Sequence, residues 1–323
     1  MELRPTTIFL CATFFLSGYA FTEEIPQKKL TSELNFRLAP DVLEDAEIQL
    51  INGKKVSSAE WDTLLIATFE SANKYSLTST RKTCTATLVG PNVALLAGHC
   101  LEPPYDSILS PPSLTVGTRR IPFRCEVHPE YLSHDLLTIS TPRGSEDYAL
   151  CILDDKGNSP DVLRKMRFET LDVSEVLKKG EQVLMTGYGC SDPTIVGGSF
   201  SAESTNELRI GLAHIDQPAG SIPGEPSYVS ITASGTTSPA LCPGDSGGPL
   251  FSGDDMKDHR KKRRVRGVNS KIEIHDDHYV SSIAALGTMT FRNWVHDWLE
   301  RNKKFSPKVC GVNLKAGEQQ CKE

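Results

Sequence analysis

A nine-residue run in the last third of the chain constrains the fold more than any other feature. Residues 242–250 read Cys-Pro-Gly-Asp-Ser-Gly-Gly-Pro-Leu, so that Ser246 lies among glycines and directly follows Asp245. Glycines let the backbone turn sharply and direct several N–H groups at one point, where they can hold an oxyanion. A serine hydroxyl becomes a good nucleophile only when a base takes its proton. The run therefore predicts a nucleophilic serine on a tight loop, with a base elsewhere in the chain.

The best candidate for that base is a histidine at the end of an apolar run. Residues 93–100 read Val-Ala-Leu-Leu-Ala-Gly-His-Cys, which is typical of a strand that ends at a cleft, and the histidine is His99. We interpret the other seven histidines as surface or core residues: His128, His134, His214, His259, His275, His278 and His296.

Two aspartates could orient His99. Asp147 begins the sequence Asp-Tyr-Ala-Leu, whereas Asp135 begins Asp-Leu-Leu and lies closer to His99 along the chain. We favour Asp147 and interpret Asp135 as an acid in a loop or turn.

These three segments resemble the trypsin-like serine proteases of the chymotrypsin fold. The nucleophile motif of that family is Gly-Asp-Ser-Gly-Gly-Pro, its histidine motif is Thr-Ala-Ala-His-Cys, and its aspartate motif is Asp-Ile-Ala-Leu. The order His99, Asp147, Ser246 is the order of this branch, whereas subtilisins and α/β-hydrolases carry the same residue types in other orders. The resemblance implies that His99 is the general base and that Asp147 orients it. It also implies that the N–H groups of Gly244 and Ser246 form the oxyanion hole.

The resemblance implies an all-β fold of two six-stranded antiparallel β-barrels with a C-terminal α-helix. Short strand-like runs separated by turn residues are typical of a barrel or sandwich, and only the motifs choose between these. The runs expected in the first barrel (about 50–160) are 62–69, 84–89, 93–97, 113–126 and 148–153, and those in the second (about 170–302) are 182–188, 207–216, 227–233, 248–252 and 265–284. Apolar residues at helical spacing over 291–299 predict the helix. The resemblance covers about residues 50–302 and leaves a tail, 303–323.

The N-terminal residues predict targeting and processing segments. Residues 1–20 combine Arg4, an apolar run and small residues at a cleavage site, which indicates a secretory signal; the alternative is a buried N-terminal strand or helix. The run is too short to span a bilayer, so no membrane anchor is expected. The acidic, cysteine-free residues 21–49 are interpreted as a propeptide. We expect a secreted or periplasmic monomer, and the absence of an Asn-x-Ser/Thr sequon favours a bacterial source.

Charge and cysteine content narrow the class of protein. The net charge of −6 at pH 7 argues against a nucleic-acid partner. Of nine cysteines, Cys11 lies in the predicted signal, which leaves an even number suited to an oxidising compartment. No Cys-x-x-Cys pair occurs, so we expect neither a metal nor another cofactor. The resemblance suggests four disulfides, of which only the first is secure: Cys84–Cys100, Cys125–Cys151, Cys190–Cys242 and Cys310–Cys321.

Three positions bear on the substrate, which the resemblance implies is a protein or peptide. Ala240 stands where trypsin has an aspartate that binds Lys or Arg, and burying such a cation unpaired would be costly. Ser270 lies in a segment resembling the strand that pairs with substrate, and Ile272 stands where a glycine usually opens the pocket. We therefore expect a preference for small or uncharged side chains.

The sequence from Leu50 to Gly53 resembles the Ile-Val-Gly-Gly start of the mature family enzymes. There a new N-terminal ammonium, made by an activating protease, pairs with the aspartate before the nucleophile, here Asp245. No basic residue lies nearer upstream of the Gln49–Leu50 junction than Arg37. Either a protease of another specificity cuts here, or the chain stays a zymogen.

The alternative function is a catalytically silent binding or regulatory protein on the same scaffold. Such proteins usually lack a triad residue, and none is missing here. Residues 257–266 carry seven Lys or Arg and are interpreted as a solvated loop, with a docking patch or autolysis site as alternatives. Residues 273–278 are interpreted as a surface hairpin rather than a metal site.

Overall fold

The described chain is built around two curled β-sheets, one of eight strands and one of seven, which confirms the predicted all-β fold of two barrels with a C-terminal helix. The structure is a computed structural model, and it describes residues 31–38, 50–72, 79–102, 108–133, 146–155, 157, 159–190, 194–196, 199–201, 207–221, 227–253 and 262–323. The predicted signal, Asp135 and residues 257–261 of the basic loop lie outside the described residues, as does the predicted propeptide apart from residues 31–38.

The strands of the first half are β1 (Thr31–Leu38), β2 (Lys54–Lys55), β3 (Leu64–Ala72), β4 (Ser79–Gly90), β5 (Val93–Leu96), β6 (Ile108–Leu109), β7 (Ser113–Val116), β8 (Arg119–Val127) and β9 (Ala149–Leu153). Those of the second half are β10 (Gln182–Gly187), β11 (Thr194–Val196), β12 (Ser199–Ser201), β13 (Arg209–His214), β14 (Ser227–Ala233), β15 (Pro249–Ser252), β16 (Arg264–Ile274) and β17 (His278–Ala285). The α-helices are α1 (Pro129–Ser133), α2 (Asp161–Lys165) and α3 (Met289–Arg301), and 3₁₀ turns occupy Ser58–Trp61, Gly98–Leu101 and Lys303–Phe305.

The first barrel is a ring of seven strands. Its order is β3-β4-β5-β9-β8-β7-β1, and β1 pairs back onto β3 to close the ring, with β6 added beside β1. The expected number of six strands is wrong for this barrel. The reason is that β1 inserts between β3 and β7, antiparallel to the first and parallel to the second.

Strand β1 lies inside the segment interpreted as a propeptide. Leu34 and Phe36 alternate along it, and both side chains are fully buried in the barrel core. The ring of Phe36 lies 4.9 Å from the ring of Phe123 on β8. Strands with one buried face show this alternation, so the pattern from Leu34 to Leu38 was a strand signal that the acidic composition of the segment obscured.

The second barrel is a ring of six strands in the order β14-β17-β16-β15-β10-β13, with β2 added beside β13. Gln217, just beyond β13, pairs with Val229 of β14 and brings the two ends of the ring together. The expected run 265–284 is the long hairpin of β16 and β17. A separate two-stranded sheet consists of β11 and β12.

Helix α3 packs its apolar face on the barrels. Its N-cap is Thr288, whose hydroxyl accepts the N–H of Phe291 at 3.1 Å, as a threonine cap should. Phe291 is buried with its ring 4.9 Å from that of Tyr148, which directly follows Asp147.

Within the described residues, no helix combines the length and apolarity needed to cross a membrane.

The tail beyond residue 302 packs against the linker that joins the two barrels. The Cys310–Cys321 disulfide closes it into a loop, and Phe168 of the linker forms a bridge with Cys321. Leu171 donates its N–H to Cys310 O at 2.9 Å. The tail is therefore part of the folded domain rather than an appended segment.

Candidate active site

His99 and Asp147 lie together at one end of the paired strands β5 and β9. His99 is in the 3₁₀ turn after β5, and Asp147 comes just before β9. Asp147 Oδ2 lies 2.7 Å from His99 Nδ1, and its Oδ1 accepts the backbone N–H of His99 at 2.9 Å. Burial alone would raise the pKa of Asp147, but the interactions with His99 and Ser270 outweigh it and hold that pKa below its usual value. An ionised Asp147 keeps the proton of His99 on Nδ1 and leaves Nε2 available as a base.

Ser270 connects Asp147 with Ser246. Its hydroxyl donates to Asp147 Oδ2 at 2.6 Å, and its backbone oxygen lies 3.4 Å from Ser246 Oγ, which donates to it. A register shift between Asn269 and Lys271 places a β-bulge at this residue. Bulges re-aim side chains next to active sites, and here the bulge turns Ser270 toward both catalytic candidates. The sequence indicated Ser270 as a substrate-binding residue but gave no sign of its bond to Asp147.

Thr85 of β4 anchors the loop that carries Ser246 to the first barrel. Its N–H donates to Ser246 O at 2.7 Å, and its hydroxyl donates to Gly244 O at 3.0 Å while accepting the N–H of Tyr188. Gly247 makes this close approach possible, because it has φ +84° and a Cβ there would lie 2.1 Å from Thr85 O. Thr85 was missed in the sequence, since a threonine in a strand carries no site signal of its own.

The amides of Gly244 and Ser246 are available to a ligand. Neither donates a hydrogen bond to any residue in the described part of the chain, although both lie in a loop tied down on either side. An oxyanion hole requires N–H groups that are not already bonded within the protein, so these two amides remain candidates for it.

The family is decided by sequence comparison across both barrels. The sequence model named Trypsin matches residues 50–295, which is well over half of the chain. The chain belongs to the trypsin family. It is a trypsin-like serine protease, and membership implies that its substrates are proteins. None of the curated proteins compared with it matches the chain.

In this trypsin-family chain, Ala240 lies in an apolar cluster that includes Cys242 at the start of the Ser246 loop. Ala240 is fully buried, and its N–H donates to Ile51 O at 3.1 Å. The cluster contains Ile51, Cys190, Ala240 and Cys242, with Ile272 and Tyr279 packed against it. The two positions inferred to shape the primary pocket thus share one apolar environment, and neither side chain carries a charge.

Asp245, which directly precedes Ser246 in the same loop, is fully buried. Its carboxylate accepts the N–H groups of Gly189 at 2.8 Å and Cys242 at 2.7 Å, but it forms no ion pair with a described residue. Burial raises its pKa to about 7, against the opposing effect of the two amides and of Arg209. A Cβ on Gly187 would lie 2.2 Å from its Oδ1, so only glycine admits the carboxylate there. Asp245 is therefore a desolvated acid without a counter-ion in the described residues.

Leu50, the residue expected to become the new N-terminus, is also fully buried. It has φ +61°, and its carbonyl accepts the N–H of Gly53 at 2.7 Å. In the intact chain its nitrogen is part of a peptide bond and carries no charge.

Each of the four expected cysteine pairs is bridged in the structure: Cys84–Cys100, Cys125–Cys151, Cys190–Cys242 and Cys310–Cys321. The first joins β4 to the turn that holds His99. The third joins the segment after β10 to the start of the Ser246 loop. Two of the four bridges therefore hold catalytic candidates in place. The four bridges and the family together indicate an extracellular, oxidising compartment.

The remaining candidates take structural positions. His128 is buried with its ring 5.0 Å from that of Trp294, and burial lowers its pKa to about 4, as suits a neutral core histidine. His275 and His278 stack at the tip of the β16–β17 hairpin. Among the described residues, the one cluster of potential metal ligands is Cys84, His99 and Cys100, and both of its sulfur atoms belong to a disulfide.

Proposed function

We propose that the chain is a secreted serine endopeptidase that hydrolyses peptide bonds through an acyl-enzyme on Ser246. The observation that carries this proposal is Ser270, which hydrogen-bonds to both Asp147 and Ser246 while Asp147 holds His99. Ser246 lies on a loop of the second barrel, whereas His99 and Asp147 belong to the first. Packing of the two barrels does not by itself require one residue to hydrogen-bond to both groups. The arrangement fits a triad split between two barrels.

The chemistry follows from the roles of the three residues. With a peptide bound, a rotation of the Ser246 side chain brings its hydroxyl from Ser270 O to His99 Nε2. His99 takes the proton as Ser246 Oγ attacks the carbonyl carbon, and it returns the proton to the leaving amine. Asp147 stabilises the imidazolium between these steps. Water then attacks the acyl-enzyme by the same route and releases the acid product.

The developing oxyanion is held by the amides of Gly244 and Ser246. Each such donor typically contributes about 2.7–4 kcal/mol of transition-state stabilisation. Once Asp245 is paired with an ammonium, the bonds from Thr85 to Gly244 O and Ser246 O would limit the rearrangement of the loop when the charge develops.

Labelling with a fluorophosphonate is the direct test of this function. The activated chain should be labelled on Ser246, and Ser246→Ala should abolish both labelling and turnover. Asp147→Asn should lower kcat by about 10⁴ because it leaves His99 in the wrong tautomer. Asp276→Asn, at an exposed hairpin position, is the matched control and should be silent. An activated chain that folds yet is never labelled would instead support a binding protein on a protease scaffold.

We also propose that the primary pocket prefers small or uncharged side chains. Ala240 and Ile272 support this, since neither can neutralise a buried cation. On a panel of fluorogenic peptides, Ala, Val or Leu at the cleaved position should exceed Arg and Lys in kcat/KM by at least about tenfold, the range that one pocket contact typically gives. Ala240→Asp should raise the relative rate for Arg and Lys. A wild-type enzyme that favours Arg would contradict the assignment.

Finally, we propose that the protein is made as a monomeric zymogen with a signal at 1–20 and a processing junction at Gln49–Leu50. Support comes from Asp245, whose buried carboxylate has no cationic partner among the described residues. A new ammonium on Leu50 would supply one.

A further inference from the structure

The N-terminal segment that includes β1 is part of the catalytic domain. Seven residues of β1 pair with β3, from Ser32 opposite Ser71 to Leu38 opposite Leu65, and three more pairs join it to β7. Among the described strands no other connects β3 to β7, so in this part of the chain the first barrel is closed through β1.

The contacts of β1 are those of a core strand. On its inner face, Leu34 and Phe36 are fully buried, and Leu38 packs against the same core. On its other face, Asn35 accepts a hydrogen bond from Thr115 Oγ1 at 2.8 Å, and Glu33 pairs with Arg120. Removing the strand would expose the edges of β3 and β7 and leave the space of two large side chains unfilled.

Closure of the first barrel by β1 also supports the strands that position the proposed catalytic residues. β3, the partner of β1, pairs along its whole length with β4. β4 in turn carries Thr85, bonded to Ser246, and Cys84, bridged to Cys100 beside His99. A barrel opened between β3 and β7 would therefore loosen the strand on which the triad geometry depends.

We propose that the segment upstream of the activation junction is not released on cleavage but stays as a non-covalent light chain, with β1 as the seventh strand of the barrel. This rests on the proposed cleavage at Gln49–Leu50. Residues 21–49 contain no cysteine, and the disulfides all lie beyond residue 83, so strand pairing and core packing alone would hold the fragment. Cleavage would then change the charge at Leu50 without dismantling the barrel.

The test uses the intact chain carrying Ser246→Ala, with a recognition sequence for a site-specific protease placed between residues 39 and 49. After cutting, native size-exclusion chromatography followed by mass spectrometry should find the two fragments together in equimolar amounts, and denaturant should separate them. Phe36→Asp should release the fragment on cutting, whereas Glu33→Gln on the other face should retain it. A wild-type fragment that separates from a remainder that is still folded and monomeric would overturn the proposal.

A second measurement covers the case in which Phe36→Asp does not fold. In the cut Ser246→Ala chain, hydrogen exchange should protect the amides of residues 32–38 to the same extent as those of β3. Exchange of residues 32–38 at the rate of a free peptide, with β3 still protected, would also overturn the proposal. Because the chain carries Ser246→Ala, neither result depends on peptidase activity, so failure here is distinct from failure of the proposed function.

Discussion

At the scale of single residues, the active-site region contains two buried aspartates whose pKa values are shifted in opposite directions. Asp147 faces His99 and Ser270, and these partners hold its pKa down. Asp245 has only two backbone amides and the more distant Arg209, so burial prevails and raises its pKa to about 7. The difference fits the roles proposed for them, in which Asp147 is ionised to orient His99 and Asp245 pairs with an ammonium formed by cleavage.

The raised pKa of Asp245 predicts how stability depends on pH. An acid whose pKa is about 7 when folded and 3.8 when unfolded binds more protons in the folded state, so stability falls as pH rises from 3.8 to about 7. In the uncleaved Ser246→Ala chain, Asp245→Asn removes this loss. Urea unfolding should therefore show the Asn variant gaining about 2–3 kcal/mol on the Asp245 parent between pH 5 and pH 8.

Two controls bear on this result. Asp276→Asn, at an exposed position, should give a profile parallel to that of its parent. Cutting at Gln49–Leu50 should flatten the difference, because the new ammonium of Leu50 favours the ionised Asp245. If the Asp245→Asn profile runs parallel to its parent at every pH, Asp245 is not the desolvated acid described above.

At the scale of elements, the sequence predicted the strands with strong apolar runs and missed those defined by distant partners. β4, β5, β9 and β10 lie close to their expected positions because each is a continuous or alternating apolar run between turn residues. β1 was missed because the acidic composition of its segment obscured the apolar alternation, and because its seven register partners on β3 lie between 27 (Leu38 to Leu65) and 39 (Ser32 to Ser71) residues along the chain. His99, Asp147 and Ser246 could be proposed from the sequence because motifs fix them. The roles of Thr85 and Ser270 depend on contacts between the two barrels, which join Thr85 to the Ser246 loop and Ser270 to Asp147.

The tail is attached to the barrels by a buried ionic cluster centred on Glu169. This fully buried carboxylate accepts from Arg263 and Lys322 at 2.6 and 2.7 Å and from Thr63 at 2.8 Å. Burial alone would raise its pKa, but the two cations hold it at about 2. The linker, the tail and both barrels thus all contribute to the hydrogen bonds of the Glu169 carboxylate.

Glu169→Gln should therefore destabilise the protein far more than the loss of a surface pair. Removing one partner of a buried ionic cluster typically costs about 3–5 kcal/mol, because the remaining charges stay buried without compensation. Lys262→Met is the matched control, since it breaks an exposed pair with Glu323 and should cost at most about 1 kcal/mol. Urea denaturation at pH 7 compares the two, and equal costs would show that the cluster is solvated.

At the scale of the whole molecule, the two barrels cooperate through a few specific bonds rather than through one continuous sheet. Tyr148 Oη donates to Ala285 O at 2.8 Å, and Thr85 and Ser270 cross the same interface at the site. The chain just after Leu50 packs on the second barrel, where Ala240 donates its N–H to Ile51 O. The proposed junction at Gln49–Leu50 therefore falls, along the chain, between a strand of the first barrel and a segment that packs on the second.

The position of the proposed junction between the two barrels predicts that cleavage activates the protein although the upstream fragment is not released. In the intact chain no described residue provides an ammonium to Asp245, and rates measured by fluorophosphonate labelling should be low. Cutting at Gln49–Leu50 should raise labelling by orders of magnitude, while β1 stays in the barrel. Asp245→Asn should block the rise even though the bond is cut, because an amide does not attract the ammonium of Leu50.

The specificity of the activating protease provides a further test of activation at Gln49–Leu50. No Lys or Arg lies between Arg37 and the junction, so an enzyme that cuts after Gln should activate the chain, whereas trypsin should activate it poorly. Trypsin cleavage at Arg37 would instead fall within β1, where strand pairing protects the backbone. Full labelling of a chain whose residues 49 and 50 are still joined would refute the scheme. In that case the two amides on Asp245 and the nearby Arg209 would suffice to order the oxyanion hole.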